Sequence, residues 1–205
     1  MSGAVQIQIS DRALERANNA LRHVQNGFPL AVARASSRTL EGIPMDTGKE
    51  TSKRYFVTSS EVRAAVYQKR KPTAGNLVGT VTFRGRRRKL ANYKMTPQKP
   101  HFRENREGRK VQVLIKAGVK RAGGLKSFDN DNKPSVFLMR RKSGGYFPYI
   151  RTGKGNHIES FASPSIPQII KNEEVVHEVE QLGAERFEKR LLHEVEHILD
   201  TVQGS

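Results

Sequence analysis

LLHEVEHIL, residues 191–199, contains apolar residues that repeat at helical spacing. At about 100° per residue, Leu191, Val195 and Ile198 share one face of a helix. His193 and His197 fall on the opposite, polar face. The pattern therefore predicts a long C-terminal helix whose apolar face packs on the sheet or the N-terminal helix, with its histidines in solvent.

The same stretch contains HEVEH, which matches the H-E-x-x-H signature of zinc metalloproteases. Two histidines one helical turn apart can bind one metal ion while the glutamate activates its water. A third ligand is also required: the eight residues after the motif offer only Asp200, and His177 or Glu159 would have to supply it from upstream. Neighbouring Lys189 and Arg190 would oppose a dication. We interpret the motif as a solvated helix face and expect no metal, no cofactor and no enzymatic activity.

Helical spacing also fills the N-terminal segment, residues 10–42. We expect Gly27 and Pro29 to interrupt or bend this helix, and Gly42-Ile43-Pro44 to end it. The segment before it, Val5–Ile9, alternates apolar and polar residues and predicts a short strand.

Two S/T-x-x-E capping boxes, at Thr47–Glu50 and Thr58–Glu61, predict two short helices. After Ser163-Pro164-Ser165-Ile166-Pro167 the helical period returns and predicts an acidic C-terminal helix over 164–202.

Between the helical segments, residues 64–160 are rich in short alternating runs broken by Gly, Pro, Asn and Asp. Such runs are typical of an antiparallel sheet. The predicted strands are Ala65–Lys69, Leu77–Phe83, Val111–Ala117, Val136–Arg140 and Tyr146–Ile150, with Thr96–Lys110 as a long mobile loop. The fold class is therefore α+β: an antiparallel sheet packed with a long N-terminal and a long C-terminal helix, in one domain of residues 1–205.

Composition restricts the classes of function. The chain has 205 residues and no cysteine, which excludes disulfides and thiolate metal sites. No apolar stretch has the length of a membrane span, and the start lacks the apolar region of a signal peptide. We therefore expect a protein made in a cytoplasm, with no membrane partner.

The net charge of +17 is concentrated in the middle of the chain. Residues 51–125 contain 20 basic and 3 acidic residues, whereas residues 161–205 contain 4 basic and 9 acidic residues. An excess of cations of this size indicates a polyanion or an acidic partner surface, because unpaired cations repel one another.

The densest basic cluster is RGRRRK, residues 84–89, predicted to lie on a loop between strands. Five cations in six residues can contact a phosphate backbone without recognising bases. Docking on an acidic neighbouring subunit, or simple solvation, would suit the same cluster. The candidate contact residues for DNA or a protein partner are Arg84, Arg86, Arg87, Arg88 and Lys89.

Six short motifs follow one another along the chain. They are ARASSRT (33–39), KPTAGNL (71–77), RRKL (87–90), YFPYI (146–150), PSIPQII (164–170) and FEKRLLHE (187–194). This ordered set resembles the minor tail protein Z family of long-tailed bacteriophages and prophages. Ser163 stands where the family pattern has a glycine, and the loop 96–108 is longer than in that pattern.

This resemblance implies a non-catalytic structural protein of the virion, at the head-proximal end of the tail. It implies a homo-oligomeric ring, most often a hexamer, that completes the tail, joins neighbouring tail-terminator or connector proteins and lets DNA pass, after assembly in the host cytoplasm. A non-sequence-specific nucleic-acid-binding protein and a zinc metalloprotease remain the alternatives from other classes.

Overall fold

The computed structural model describes residues 2–5, 11–71, 79–104, 106–127, 136–142, 144–151 and 157–203. The chain forms two compact units. Unit 1 comprises Met1–Thr51, Thr58–Gly85 and Ile166–Ser205. Unit 2 comprises Ser52–Val57 and Arg86–Ser165. The expected single domain over 1–205 stays a prediction.

Unit 1 combines the helices with one small sheet. The helices are α1 (Asp11–Leu21), α2 (Gly27–Arg54, with its last three residues in unit 2), α3 (Ser59–Ala64), α4 (Ile166–Ile170) and α5 (Glu173–Gln203). The strands β1 (Ser2–Val5), β2 (Val66–Arg70) and β3 (Thr80–Arg84) pair antiparallel in the order β1-β3-β2. The strand predicted at Val5–Ile9 begins earlier than expected, and residues 6–10 lie outside the described ranges.

The hydrophobic core of unit 1 joins α1, α2 and α5. Leu21 from α1 and Val32 from α2 lie in the same buried cluster as four residues of α5. The four are Phe187, Leu191, Val195 and Ile198, so the predicted apolar face of the last helix is confirmed. Leu192, which follows Leu191 in the helix, lies outside this face, because its side chain is 60% exposed.

The N-terminal helix is interrupted and then continues further than predicted. Residues 22–26 separate α1 from α2, and Asn26 has a positive φ of 58°, which Asn tolerates better than most residues. Pro29 lies in the first turn of α2, where its missing N–H costs little. The predicted end at Gly42-Ile43-Pro44 is wrong, because α2 continues through Pro44 to Arg54.

Burial explains why α2 tolerates a proline in its interior. Pro44 has no N–H for the helical hydrogen bond and would cost an isolated helix about 3 kcal/mol. Ile43 is 1% exposed, Pro44 itself is buried and Thr47 is fully buried, so the side of α2 that contains Pro44 is packed against other residues. Tertiary packing therefore overrides the local preference of Pro44.

Two glycines of α2 allow close approach of neighbouring groups. A Cβ on Gly42 would overlap the guanidinium group of Arg186, and that group is paired with the buried carboxylate of Asp46. A Cβ on Gly48 would lie 2.9 Å from the carbonyl oxygen of Ser59. The glycine at 48 therefore lets the N-terminus of α3 lie against α2.

The two capping boxes have opposite outcomes. Thr58 caps α3: its hydroxyl accepts from the N–H of Glu61, and the Glu61 carboxylate accepts from the N–H of Thr58 at 2.9 Å. The helix start predicted at Thr47 is wrong, because Thr47 lies inside α2 and donates its hydroxyl to the carbonyl of Ile43 at 2.8 Å.

Unit 2 is built from small antiparallel sheets. Its strands are β4 (Arg88–Lys89), β5 (Lys94–Thr96), β6 (Phe102–Glu104), β7 (Lys110–Gln112), β8 (Lys116–Gly118), β9 (Lys126–Ser127), β10 (Val136–Arg140), β11 (Tyr146–Arg151), β12 (Ile158–Ser160) and β13 (Ala162–Ser163). They pair as β10-β11-β12, β5-β8-β9, β6-β7 and β13-β4. A 3-10 turn, Leu90–Asn92, follows β4. Leu90, Met95, Ile115, Ala117 and Leu138 form the buried core.

These sheets confirm the α+β class and correct two details of it. The strand predicted at Val111–Ala117 is two strands, β7 and β8, separated by residues 113–115. The loop predicted at Thr96–Lys110 contains strand β6, which pairs with β7 so that Phe102 lies opposite Gln112. The strands predicted at Ala65–Lys69, Val136–Arg140 and Tyr146–Ile150 are confirmed within one residue at each end.

Candidate polyanion-binding surface

Net charge divides unequally between the two units. Unit 1 has 15 basic and 15 acidic residues and is neutral, whereas unit 2 has 22 basic and 5 acidic residues. Unit 2 therefore carries a net charge of +17, which is the net charge of the whole chain. The cations that need a partner belong to unit 2.

The predicted basic cluster spans the end of one sequence segment of unit 1, which closes at Gly85, and the start of a segment of unit 2, which opens at Arg86. Arg84 ends β3 in unit 1, is exposed, and lies over the ring of Tyr67 with 4.0 Å between the guanidinium carbon and the ring centroid. Tyr67 is itself 58% exposed. This pair is a cation stacked on an aromatic ring at the surface, where both groups remain accessible to a partner.

The remaining cations of the cluster differ in how firmly the fold holds them. Arg86 and Arg87 are exposed between β3 and β4. Arg88 is half-buried: it donates to the carbonyl of Asn92 at 2.8 Å and lies over the ring of Tyr93. Lys89 is also half-buried, with its Nζ 5.1 Å from the ring centroid of Phe147.

The prediction of a single basic loop is therefore wrong in part. The loop consists of residues 85–87, and Arg88 and Lys89 form β4, which pairs with β13. Ser163 fixes this pairing further, because its hydroxyl donates to the carbonyl of Arg88 at 2.9 Å. The segment after the cluster is packed into unit 2, since Leu90 and Tyr93 are both 8% exposed.

Other cations of unit 2 also lie over aromatic rings, and no local sequence pattern indicates these contacts. Lys94 and Arg121 both lie over Phe56, at 5.3 and 5.0 Å from its centroid. Arg141 shares Phe147 with Lys89, and Arg151 lies over Phe137. The cations on Phe56 are distant from it in sequence. Arg141 and Arg151 reach their rings through the pairing of β10 with β11, so only a correct strand register could have predicted these two contacts.

Arg121 illustrates how the fold orients such a cation. Its Nε donates to the carbonyl of Ser52 at 2.8 Å and to that of Tyr55 at 3.2 Å. The bridge between Tyr55 and Lys120 holds the two segments together. The guanidinium group is therefore fixed over Phe56 by backbone acceptors, and its charge is not neutralised by these contacts.

The HEVEH motif has the wrong geometry for a metalloprotease. His193 and His197 are exposed, as predicted, whereas Glu194 is 2% exposed. The Glu194 carboxylate lies 2.9 Å from a guanidinium nitrogen of Arg38 and 3.9 Å from one of Arg34, both on α2. A general base must reach the metal-bound water, and this carboxylate instead faces the interior of unit 1. Among the described residues, no three His, Cys, Asp or Glu side chains form a group that could hold a metal ion.

Comparisons with protein-family models, with curated proteins and with solved structures give no match. Within the described ranges, no helix has the length and apolar character needed to cross a membrane.

Proposed function

We propose that this protein is a non-catalytic structural protein of a phage virion, a tail-completion ring at the head-proximal end of the tail through which DNA passes. The motifs that resemble the minor tail protein Z family support the place in the virion. The observation that carries the contact with DNA is the confinement of the whole net charge of +17 to unit 2.

The physical argument starts from the cost of unpaired cations. A unit with 22 basic and 5 acidic residues repels itself unless a polyanion or many small anions neutralise it. Phosphate groups release their condensed counterions when such a surface binds, which gives affinity without recognition of sequence. A protein that DNA passes through needs this kind of contact, because base-specific binding would retain the DNA.

Opposite charges on one chain also favour a ring. The exposed face of α5 presents Glu185, Glu188 and Glu196 around the exposed side chain of Leu192. A basic unit 2 on one copy and this acidic face on the next copy would attract each other. Contacts between two different surfaces repeat from copy to copy and close into a ring when the rotation permits.

The decisive experiment removes the exposed cations of the cluster and leaves Arg88 and Lys89 in place, because the last two belong to β4. The variant is R84Q/R86Q/R87Q in the phage. Its matched control is R12Q/R16Q/R22Q, which removes three exposed arginines from unit 1. Both variants lower the net charge by the same amount.

We expect the R84Q/R86Q/R87Q tails to assemble and join heads but to retain or inject DNA poorly, while the control remains infectious. A block at head joining would place these residues against protein instead of DNA. Wild-type joining and infectivity would contradict the proposal, because the cations would then be only solvated.

The same charge distribution favours a second candidate, a free nucleic-acid-binding protein without sequence specificity. Such a protein would bind duplex DNA as an isolated monomer, and the logarithm of its affinity would fall with the logarithm of salt concentration by about 0.9 for each phosphate contact. Tight binding by a monomer at physiological salt, with no assembly into rings or particles, would favour this candidate over the tail protein.

A further inference from the structure

Unit 2 contains a recess lined by aromatic and amide side chains. The recess has a volume of about 300 Å³ and lies between the Leu90–Asn92 turn, β5 and the start of β11. Its lining residues include the aromatic residues Tyr93, Tyr146 and Phe147 and the amide residues Asn92 and Gln98. The volume is at the lower end for ligand pockets, so it suits one small flat group.

The lining matches the chemistry of a nucleobase. Aromatic side chains stack on the faces of bases, and this contact is insensitive to which base is present. The Asn92 and Gln98 side chains are both exposed, and each amide offers two N–H donors and one oxygen acceptor for the edge of a base. Neither amide carries charge, so the recess itself favours the base over the phosphate.

Cations stand beside this recess on the rings that line it. Lys89 Nζ lies 5.1 Å from the centroid of Phe147, and the guanidinium carbon of Arg141 lies 5.6 Å from it. The guanidinium group of Arg88 lies over Tyr93. The stacking of a base on an aromatic ring is worth more than an exposed cation–π contact. An arriving base can therefore displace a cation from a ring, and the displaced cation can pair with the adjacent phosphate.

We propose that this recess takes one unpaired nucleobase of a single-stranded nucleic acid, with Lys89 and Arg141 on the phosphates that flank it. A base in a duplex is stacked on both faces and paired along its edge, so it would have to leave the stack before it could enter the recess. This inference rests on the proposed contact between unit 2 and nucleic acid, and it adds a preference for unpaired over paired strands.

The test compares a labelled thymidine oligonucleotide with a duplex of equal length, at one salt concentration, by fluorescence anisotropy. The variant N92A/Q98A removes both amides without touching a buried side chain. Its matched control is Q68A/Q181A, which removes two exposed amides from unit 1. We expect the wild type and the control to bind the single strand more tightly than the duplex. N92A/Q98A should lose roughly tenfold in single-strand affinity, because the hydrogen bonds to the edge of the base are lost, and keep its duplex affinity.

Equal affinity of the wild type for the two ligands, or an equal loss on both in N92A/Q98A, would overturn the inference and leave the duplex contact of the proposed function intact. If the wild type bound neither the single strand nor the duplex, both this inference and the proposed function would be contradicted. A second measurement locates the base: a 5-iodouracil oligonucleotide should photocrosslink to Tyr93, Tyr146 or Phe147. Crosslinks found only at other residues would exclude the recess.

Discussion

Buried carboxylates meet guanidinium groups in unit 1, whereas several cations of unit 2 lie over aromatic rings. In unit 1, Glu194 and Asp46 are almost fully buried and are paired with arginines of another helix. In unit 2, Phe56 and Phe147 each carry two cations. A carboxylate neutralises its cation, but an aromatic ring only orients it and leaves the charge for a partner. The difference separates charge that stabilises the fold from charge that is available for binding.

The largest effect is expected in the apolar core of unit 1. Leu191 is 2% exposed and lies among α1, α2 and α5, so Leu191→Ala should lower the free energy of unfolding by about 2–5 kcal/mol. The matched control is Leu192→Ala, whose side chain is 60% exposed and should cost less than about 0.5 kcal/mol. Chemical denaturation measures both, and equal costs would mean that α5 is packed through another face.

The next largest effect tests the buried charge of Glu194. The double variant R34A/R38A leaves its carboxylate without a cation and should cost about 1–3 kcal/mol. Adding Glu194→Gln should recover most of this loss, because the uncompensated charge is then removed. R12A/R16A, which removes two exposed arginines of α1, serves as the control. A triple variant as unstable as the double would refute an electrostatic origin of the loss.

In unit 2 we expect a cation that donates to backbone carbonyls to contribute more to the free energy of unfolding than a cation without such contacts. Arg121→Gln loses the bonds to the Ser52 and Tyr55 carbonyls and should cost about 1 kcal/mol. Arg86→Gln, at an exposed loop position, should change the free energy of unfolding by less than about 0.5 kcal/mol. Thermal unfolding of the two variants compares them directly. A larger loss of stability for Arg86→Gln than for Arg121→Gln would mean that the loop cations stabilise the fold.

A smaller effect tests the packing of Arg186 over Gly42. Alanine in a helix interior is favoured over glycine by about 0.5–1 kcal/mol. That gain should appear for Gly42→Ala in a background of R186A/D46N, where the guanidinium group is gone. In the wild-type background the new methyl group would displace Arg186 from Asp46, so the gain should vanish or change sign. Equal effects in both backgrounds, measured by denaturation, would show that Arg186 moves aside freely.

The smallest effect is expected at the two histidines of HEVEH. His193 and His197 are exposed on α5, so the variant H193A/H197A should unfold within about 0.5 kcal/mol of the wild type. The zinc content of the purified protein should be unchanged by the variant. A loss of stoichiometric zinc in elemental analysis would restore the metalloprotease hypothesis.

Local sequence patterns correctly predicted the elements that depend on residues close to them in the sequence. The apolar repeat of α5 and the capping box of Thr58 depend on residues within one or two helical turns, and both are confirmed. The identical box at Thr47 fails because burial extends α2 beyond Pro44, and burial is set by segments far away in the sequence. The apolar periodicity could not predict this extension of α2. Periodicity indicates which face of a helix is buried, but it does not indicate how many residues of the helix are packed against other segments.

The sequence also predicted only part of the candidate surface. Charge counting identified Arg84–Lys89 but could not separate the exposed Arg86 and Arg87 from Arg88, which β4 and Tyr93 hold. The second cation on Phe56, Arg121, depends on pairing between segments that lie 65 positions or more apart. Such contacts follow from tertiary structure, and no spacing within a single segment encodes them.

The core shared by α1 and α5 has a consequence for synthesis. Ala17 and Phe187 belong to one cluster, although 170 positions separate them in the chain. A ribosome adds about 5–20 residues per second, so α1 and α2 wait about 10–30 s for the helix that covers them. Every segment of unit 2 is translated before that helix. We therefore expect unit 2 to fold first, while the apolar faces of α1 and α2 are bound by chaperones until α5 leaves the ribosome.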